Sequence, residues 1–244
     1  MAMATDKLWM NNIDACYETQ FEARVISTDK DTITLDRTLF YPIGGGQNWD
    51  LGTISSETST YEVSEVRGRA DIIHKFNSEH SIEVGDIVSG EIDWERRYAH
   101  MRMHTAQHLV SGLVYEMFNG TRTVGNQIHT DRSRIDFNPI RFDDEMLNEV
   151  ENKVNDMTTQ EIEVSDCIMT REEINKIMPP ERTNMDLLPI SVKELRVIKI
   201  GDNLDLCPCA GTHVRNLSEI GPIKFTGKKS KGKGTQRVEY ILSK

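Results

Sequence analysis

The sequence HTAQH, from His104 to His108, and the sequence CAGTH, from Cys209 to His213, carry the residues around which the chain is organised. Two histidines four positions apart on a helix lie one turn apart on the same face, so both imidazoles reach one point. The cysteine and histidine of the second sequence have the same spacing. Three imidazoles and a thiolate form a tetrahedral nitrogen and sulfur set that suits Zn²⁺ better than Mg²⁺ or Ca²⁺. The two pairs together predict a zinc site.

The sequence leaves two properties of this site open. Cys207 and Cys209 are both candidate thiolates, and Cys209 is preferred because its spacing to the next histidine matches that of the first pair. Four protein ligands normally close a structural zinc site, whereas a catalytic zinc keeps one position for water. The neighbouring hydroxyl and amide groups of Thr105, Gln107 and Thr212 favour a catalytic site that binds a polar ligand. Thr105 stands where a His-Glu-x-x-His protease has its general base, which excludes that protease class.

The second part of the chain alternates helical and strand-like patterns. Apolar residues recur at helical spacing over residues 96–118 and again over residues 143–157. Thr170 and Glu173 form a capping box that opens a shorter helix. Strand-like runs occupy residues 133–137, 161–167, 195–200, 223–226 and 237–242. Helices segregated from mostly antiparallel strands predict an α+β domain over residues 95–244.

The first part of the chain, residues 1–94, has a β pattern. Short β-branched runs separated by turn residues occupy residues 22–26, 32–35, 61–66, 70–76, 81–84 and 87–92. This pattern predicts a small barrel or sandwich. The glycines at residues 44–46 predict a structural turn, and they do not form a phosphate-binding P-loop because no Lys-Ser/Thr pair follows them.

Composition limits the class of protein. The chain has 244 residues, of which 37% are hydrophobic and 28% are charged, as in an ordinary globular protein. It has no apolar run of the ~20 residues that a membrane helix needs, and its first residues lack the apolar segment of a signal peptide. We therefore expect a cytoplasmic protein that does not bind membranes. Four scattered cysteines are too few for a disulfide framework.

The charge is unevenly distributed. A net charge of −10 argues against non-specific binding of nucleic acid, and of DNA in particular, by the whole surface. Residues 222–244 nevertheless contain seven basic residues and one acidic residue. On charge alone this segment is interpreted as a solvated hairpin tip, with a phosphate-contacting patch as the alternative.

The metal motif resembles the editing-domain signature shared by alanyl-tRNA synthetases and the freestanding alanyl-tRNA editing proteins of the AlaX family. The glycines at residues 44–46 resemble the glycine-rich segment of the barrel that precedes this domain. Residues 131–137 resemble the strand between the two halves of the metal motif, and residues 220–224 resemble the run after its last histidine. The matches follow one another in the family's order from residue 40 to residue 240, so the resemblance covers nearly the whole chain.

The resemblance implies a small N-terminal β-barrel at residues 1–94, followed by an α+β editing domain with a zinc site at residues 95–244. It implies a deacylase that hydrolyses tRNA(Ala) mischarged with serine, with glycine as a second candidate. An aminoacyl ester is already activated, so a polarised water or a ribose hydroxyl suffices without a general base. The Zn²⁺ ligands that it implies are His104, His108, Cys209 and His213.

The resemblance also places residues around the substrate. The residues expected at the amino-acid pocket are Gln107, Thr123, Asn126 and Gln127. The residues expected to contact RNA are Gly44, Gly45, Gly46, Lys228, Lys229, Lys231, Lys233 and Arg237.

Three other functions compete with editing. One is a zinc-stabilised RNA-binding module without catalysis, and a second is a general zinc hydrolase of small esters or amides. The third is a fragment of a full synthetase. A Met just before the barrel and the lack of a recognisable ATP-binding motif favour a freestanding protein over that fragment.

Overall fold

The structure is a computed structural model that describes residues 4–183, 185, 188, 191–202 and 204–243. The chain divides into two units, the first ending at Ala99 and the second beginning at His100. The predicted domain boundary after residue 94 falls at the start of the first helix. In chain order the elements are β1 (Asp6–Lys7), β2 (Gln20–Asp29), β3 (Thr32–Leu35), β4 (Arg37–Thr38), β5 (Gly52–Ser55), β6 (Thr60–Arg67), β7 (Ile73–Phe76), β8 (Ile87–Ile92), α1 (Trp94–Met117), β9 (Arg122–Ile128), β10 (Ser133–Asn138), α2 (Asp144–Thr158), β11 (Val164–Thr170), α3 (Arg171–Ile177), α4 (Pro180–Thr183), β12 (Glu194–Ile200), β13 (Asp205–Pro208), β14 (Ile223–Gly232) and β15 (Thr235–Leu242). Within the described residues, no helix is both long enough and apolar enough to span a bilayer.

The first unit contains a closed barrel with the strand order β2-β3-β7-β6-β5-β8. In β8 the side chains alternate strictly, with Val88, Gly90 and Ile92 buried and the residues between them exposed. This is the pattern of a strand with one face on a core. Gly90 leaves space for the ring of Phe21, its partner on β2, since a Cβ there would lie 2.3 Å from that ring. The predicted N-terminal barrel is confirmed.

One strand predicted for this unit is wrong. Residues 81–84 form an irregular segment that leads into a turn. The amide of Ile82 donates to Nδ1 of His80 at 3.1 Å, and the amide of Glu83 donates to the carboxylate of Asp86 at 2.9 Å. Because nearby side chains take the donors that a ladder would use, the apolar alternation does not become a strand.

A buried ion pair lies in the first unit. Arg97 Nη2 and Asp50 Oδ2 are 2.5 Å apart, and both side chains are fully buried. Arg97 also donates to the carbonyls of Cys16 and Leu39, and Asp50 accepts the amide hydrogen of Tyr41. Burial alone would lower the pKa of Arg97, but the Asp50 carboxylate raises it, so the arginine remains charged. The hydrogen bonds described for both side chains of the pair are made to protein groups.

The second unit contains a four-stranded sheet with the order β14-β15-β10-β9 and a three-stranded sheet with the order β11-β12-β13. The inner face of the four-stranded sheet carries the buried side chains of Ile135, Val238 and Tyr240. This face packs on α1, since the Tyr240 hydroxyl donates to the carbonyl of Met103 at 2.8 Å. We call the opposite side of the same sheet the outer face. The mixed α+β architecture is confirmed.

The predicted helices are also confirmed, and their starts have local causes. Asp143 caps α2 by accepting the amide hydrogen of Met146 at 2.8 Å. Thr170 and Glu173 form the predicted capping box at the start of α3. The strands β9 and β13 were not predicted. In β9, polar residues and Gly125 hide the alternation that would mark a strand.

Candidate metal centre

The two halves of the metal motif meet in the second unit. His104 and His108 lie one turn apart on α1, and Cys209 directly follows the end of β13. His213 completes a cluster in which one donor atom of each residue lies within 4.8 Å of the others. The three histidines are buried and the cysteine is half-buried. The four residues predicted as ligands are therefore brought together by the fold.

The distances suit a tetrahedral nitrogen and sulfur site. Cys209 Sγ lies 3.6 Å from His104 Nε2 and 3.4 Å from His213 Nε2. Metal bonds of about 2.0 Å to nitrogen and 2.3 Å to sulfur, at tetrahedral angles, place such ligand pairs roughly 3.5 Å apart. The donor set and its spacing therefore fit Zn²⁺.

Cys207 and Cys209, which the sequence could not separate, differ in their surroundings. Cys207 is not part of the cluster, and its sulfur lies 4.0 Å from the carbonyl oxygen of Thr183 and 3.8 Å from that of Pro208. Burial raises the pKa of the Cys207 thiol well above its ordinary value. Burial acts in the same direction on Cys209, but the neighbouring imidazoles outweigh it and lower the pKa of Cys209 well below its ordinary value. Cys209 is thus the residue that can supply a thiolate.

Thr105 orients one of the ligands. Its hydroxyl donates to the carbonyl of Met101 at 2.9 Å, so the same oxygen is free to accept from His213 Nδ1 at 3.2 Å. A proton on Nδ1 leaves Nε2, the nitrogen that faces Cys209, as the electron-pair donor. The residue that replaces the protease base therefore fixes the ring of His213, a role that the sequence did not reveal.

Asp205 orients a second ligand and was also missed by the sequence analysis. Its carboxylate lies 2.7 Å from Nδ1 of His108, with both side chains buried. Burial would lower the pKa of His108, but Asp205 and Cys209 outweigh it and raise that pKa to about 10. Arg182 lies 3.7 Å from the other oxygen of Asp205 and covers the ring of Tyr115. No motif marks Asp205, because it reaches the histidine only through the fold.

A group of polar side chains adjoins the metal ligands on the inner face. Gln107 donates to the Ser111 hydroxyl at 2.8 Å and accepts from the Asn126 amide at 3.3 Å. The hydroxyls of Ser111 and Thr123 are 2.7 Å apart. We call these four residues the polar pocket. Ser111 was not predicted, although it lies four positions after Gln107 on α1 and so shares its face.

A β-bulge decides which residues of β9 reach the polar pocket. Residues three apart on a regular strand point to opposite faces, which would separate Thr123 from Asn126. The register shifts at Val124, so that Thr123 pairs with Phe137 and Asn126 pairs with Ile135. Both partners are buried on the inner face. The extra residue thus turns both polar side chains toward α1.

Gln127 is separated from the other predicted pocket residues. It pairs with Arg134 across the sheet and accepts a hydrogen bond from Arg134 Nε at 2.9 Å. Its side chain lies on the outer face because it directly follows Asn126 on the strand. The structure therefore does not place Gln127 in the polar pocket.

The lysines of the hairpin β14–β15 are separated in the same way. Lys228 pairs with the buried Val238 and makes an ion pair of 2.7 Å with Asp144. Lys229 pairs with Arg237, whose guanidinium is on the outer face. Lys231 and Lys233 are exposed. Lys228 thus lies on a different side of the sheet from Lys229.

The predicted RNA-contacting glycines form a tight turn in the first unit. Gly44 and Gln47 close it through two backbone hydrogen bonds of 3.1 and 2.9 Å. Gly45 and Gly46 have φ values of +56° and +89°, which L-residues rarely adopt. The turn predicted from these glycines is present.

Comparison with known proteins gives matches in both units. The family described as threonyl and alanyl tRNA synthetase second additional domain matches residues 195–239, and the family described as class II (A) tRNA synthetases matches residues 6–96. The alanyl-tRNA editing protein AlaX-M of Methanosarcina barkeri is 36% identical over 234 residues, which are 93% of this chain and 96% of the relative. AlaX-M of Saccharolobus solfataricus is 36% identical over 98% of this chain and 99% of the relative. The alanine–tRNA ligase of Pyrococcus abyssi is 34% identical over 91% of this chain, but over 24% of the ligase.

Proposed function

This chain belongs to the family of alanyl-tRNA editing proteins, and on that premise we propose that it is a trans-editing deacylase. Its substrate is tRNA(Ala) that carries a wrong amino acid, with serine as the main case and glycine as a second. The reaction is hydrolysis of the ester between the amino acid and the terminal ribose. The residues around that ester belong to the domain proposed at residues 95–244.

One observation carries this proposal. The metal cluster and the polar pocket meet on α1, which carries two of the four ligands, His104 and His108, in alternation with Gln107 and Ser111 of the pocket. A residue of the pocket therefore lies within one turn of a metal ligand. An ester held at the cluster would have hydrogen-bonding groups beside its amino-acid side chain.

The chain's own residues bind and orient the substrate in this proposal. Bound Zn²⁺, held by His104, His108, Cys209 and His213, would polarise the ester carbonyl or a water molecule. Thr105 and Asp205 hold two imidazoles with their Nε2 atoms toward the cluster. Since an aminoacyl ester is already activated, the chemistry does not need the glutamate base of a protease.

The polar pocket supports discrimination by the amino-acid side chain. Serine differs from alanine by one hydroxyl group, and an apolar synthetase pocket rejects such an analogue only weakly. A second site that hydrogen-bonds the hydroxyl can remove the error. Thr123 and Asn126, turned inward by the bulge, are the proposed partners of that hydroxyl.

RNA binding is proposed for two regions, each in its own unit. The backbone of Gly44, Gly45 and Gly46 can approach a phosphate or ribose closely because these residues carry no side chain. In the second unit we propose the exposed lysines of the hairpin, Lys229, Lys231 and Lys233, together with Arg237. Positive groups of this kind neutralise phosphates and make binding salt-dependent.

A zinc-stabilised RNA-binding module is the second candidate function. The observation that favours it is the number of protein donors, since four ligands are typical of a closed structural site. In that case the metal would connect α1 to the segment after β13 and take no part in hydrolysis.

Deacylation assays separate the two functions. The protein would be incubated with seryl-, glycyl- and alanyl-tRNA(Ala), with and without a chelator, and loss of the ester would be followed. An editing enzyme releases serine much faster than alanine. Zinc-loaded protein that binds tRNA without turning over any of the three esters would favour the binding module.

A further inference from the structure

The outer face of the four-stranded sheet carries a row of five polar side chains, four of which are charged. Residues paired across antiparallel strands point to the same face. Gln127 pairs with Arg134 and Arg134 with Glu239, while Asp136 pairs with Arg237 one row further along. All five side chains therefore lie on the side of the sheet away from α1.

Two arginines of this row are held in place by one carboxylate. Arg237 donates to both oxygens of Asp136, at 2.7 and 2.9 Å. Arg134 donates to Gln127 at 2.9 Å and reaches Asp136 at 3.3 Å. The hydrogen bond from Arg237 keeps the pKa of Asp136 below its ordinary value. The Asp136 carboxylate thus contacts two guanidinium groups. These contacts hold both arginine side chains in one orientation, whereas an exposed lysine side chain is mobile.

A cavity of about 230 Å³ opens between these arginines. The turn after β9 adds Arg132 and His129 to its wall, and Glu239 is the acidic side chain that faces it. Lys229 lies beside Arg237 on the neighbouring strand and extends the positive row. Together, Arg132, Arg134, Arg237 and Lys229 outnumber the two acids, on a chain whose net charge is −10.

The cavity lies at the end of the sheet that also contacts the metal-bearing helix. On the inner face of the same strand ends, Ser133 donates to the sulfur of Met103 at 3.4 Å, and Tyr240 donates to its carbonyl. Met103 precedes the ligand His104 in the chain. A group bound in the cavity is therefore separated from the metal-bearing helix by the thickness of one sheet.

We infer that this outer-face cleft binds the phosphodiester backbone of an RNA, through the guanidinium groups of Arg132, Arg134 and Arg237. A guanidinium carries five N–H donors, and Arg134 and Arg237 each use two of them in the contacts with Asp136 and Gln127, which leaves oriented donors for the oxygens of a phosphate. The inference rests on the proposed function in one respect, namely that the RNA is the tRNA(Ala) whose ester is hydrolysed. Binding in this cleft differs from RNA binding by the lysines of the hairpin tip, because it requires positive side chains on the outer face of the sheet.

The test measures the dissociation constant of uncharged tRNA(Ala) transcript at several salt concentrations. Arg134→Ala and Arg132→Ala are each expected to raise Kd by about 5- to 10-fold at low salt and to lower the slope of log K against log salt by about 1. Lys228→Ala is the matched control. The sequence analysis grouped Lys228 with the RNA contacts, but the structure places it on the side of the same sheet that faces Asp144, and its removal also deletes one positive charge. Its Kd should stay within about twofold of the parent.

The outcomes separate the inference from the function. Equal losses for Lys228→Ala and the two arginine variants would show binding by overall charge and overturn the cleft. Unchanged Kd in the arginine variants would overturn it as well, even if the parent hydrolyses seryl-tRNA. A parent that binds tRNA through the arginines but hydrolyses no ester would keep the cleft and refute the deacylase. Arg132 is exposed, so Arg132→Ala should fold. If Arg134→Ala does not fold, the dissociation constant of Arg132→Ala still tests the inference.

Discussion

The two units bury charged and polar groups in opposite ways. In the first unit, Arg97 and Asp50 are complementary, and each finds its remaining partners among backbone groups. In the second unit, His104, His108 and His213 place a ring nitrogen close to the sulfur of Cys209. The first unit pairs groups of opposite charge, whereas the second gathers around one point four residues of the types that bind Zn²⁺.

The difference shows how to distinguish a buried structural network from a binding site. Burial alone does not separate them, since the residues of both are mostly inaccessible to solvent. What separates them is the kind of side chain, since one is a guanidinium with a carboxylate and the other is three imidazoles and a thiol with donor atoms within 4.8 Å of one another. The ion pair of the first unit stabilises the fold without an added group. The cluster of the second unit is suited to a metal, and Thr105 and Asp205 hold its rings in orientations that would serve one.

The largest effect is expected from breaking the buried ion pair between Arg97 and Asp50. Asp50→Ala leaves the guanidinium of Arg97 buried without a counter-charge, which should lower the free energy of unfolding by about 3 to 5 kcal/mol. Urea unfolding followed by tryptophan fluorescence measures it, because Trp9, Trp49 and Trp94 all lie in this unit.

Glu79→Gln is the control for that measurement. Lys30 and Glu79 are also 2.5 Å apart, but their side chains are 75% and 69% exposed. Its effect should be at most about 1 kcal/mol. Similar losses in the two variants would show that burial does not set the strength of the pair.

His74 should make the first unit sensitive to acid. Burial lowers the pKa of this histidine from 6.5 to about 4. The unfolded chain therefore takes up a proton in this range before the folded one does, so stability should fall as the pH decreases from about 6.5 toward 4. Between pH 7.5 and 4.5 the loss should be about 2 to 3 kcal/mol.

Unfolding of the parent and of His74→Gln at both pH values isolates this contribution. The variant has no imidazole at this position, so its stability should change less with pH, whatever its absolute stability. If the two proteins lost the same free energy between pH 7.5 and 4.5, His74 would not be the group that titrates.

In the metal centre, Asp205→Asn should weaken zinc binding. The carboxylate that holds the ring of His108 becomes a neutral amide, and loss of such a partner costs about 10- to 100-fold in metal affinity. Competition with a chromophoric chelator measures the affinity directly, without an activity assay.

Glu116→Gln is the matched change for Asp205→Asn. Glu116 lies 3.9 Å from Arg182, the other partner of Asp205, but is half exposed and has no contact of its own with the ligands among the interactions described. The Glu116→Gln variant should bind zinc with the same affinity as the parent protein. An unaltered affinity in Asp205→Asn would remove Asp205 from the metal centre.

The smallest effect is expected in the polar pocket. Thr123→Val removes the hydroxyl proposed to read serine and should slow hydrolysis of seryl-tRNA about 10-fold. The affinity for uncharged tRNA should be unchanged, since Thr123 faces the inner side of the sheet. Equal losses of hydrolysis and of tRNA affinity would argue against recognition of the hydroxyl.

Local patterns predicted much of the fold. The period of 3.6 residues marked α1 and α2, and the capping box marked the start of α3, because these depend on residues within a few positions of one another. The strand predicted at residues 81–84 does not form, because nearby side chains take its backbone hydrogen bonds. Its apolar residues alternate, but the hydrogen bonds of Ile82 and Glu83 are decided by His80 and Asp86.

The site was predictable only where a motif carried it. Equal spacing within the two pairs predicted all four residues of the metal cluster. Gln127 was placed in the pocket with Asn126 by its position after the helix, but neighbours on a strand point to opposite faces. Thr123 and Asn126 share a face only through the bulge at Val124, which no local signal in β9 reveals.

The sequence by itself indicated the types of donor residue, the helix that presents two of them and the β class of the first part, because spacing along one element fixes which side chains share a face. The tertiary structure decided that Cys209 and not Cys207 joins the cluster, that Asp205 and Thr105 orient its histidines, and that Lys228 and Lys229 face different sides. These outcomes depend on residues about a hundred positions apart in the chain and on the register of paired strands. Neither is encoded in a local pattern, because both arise from packing of the whole unit.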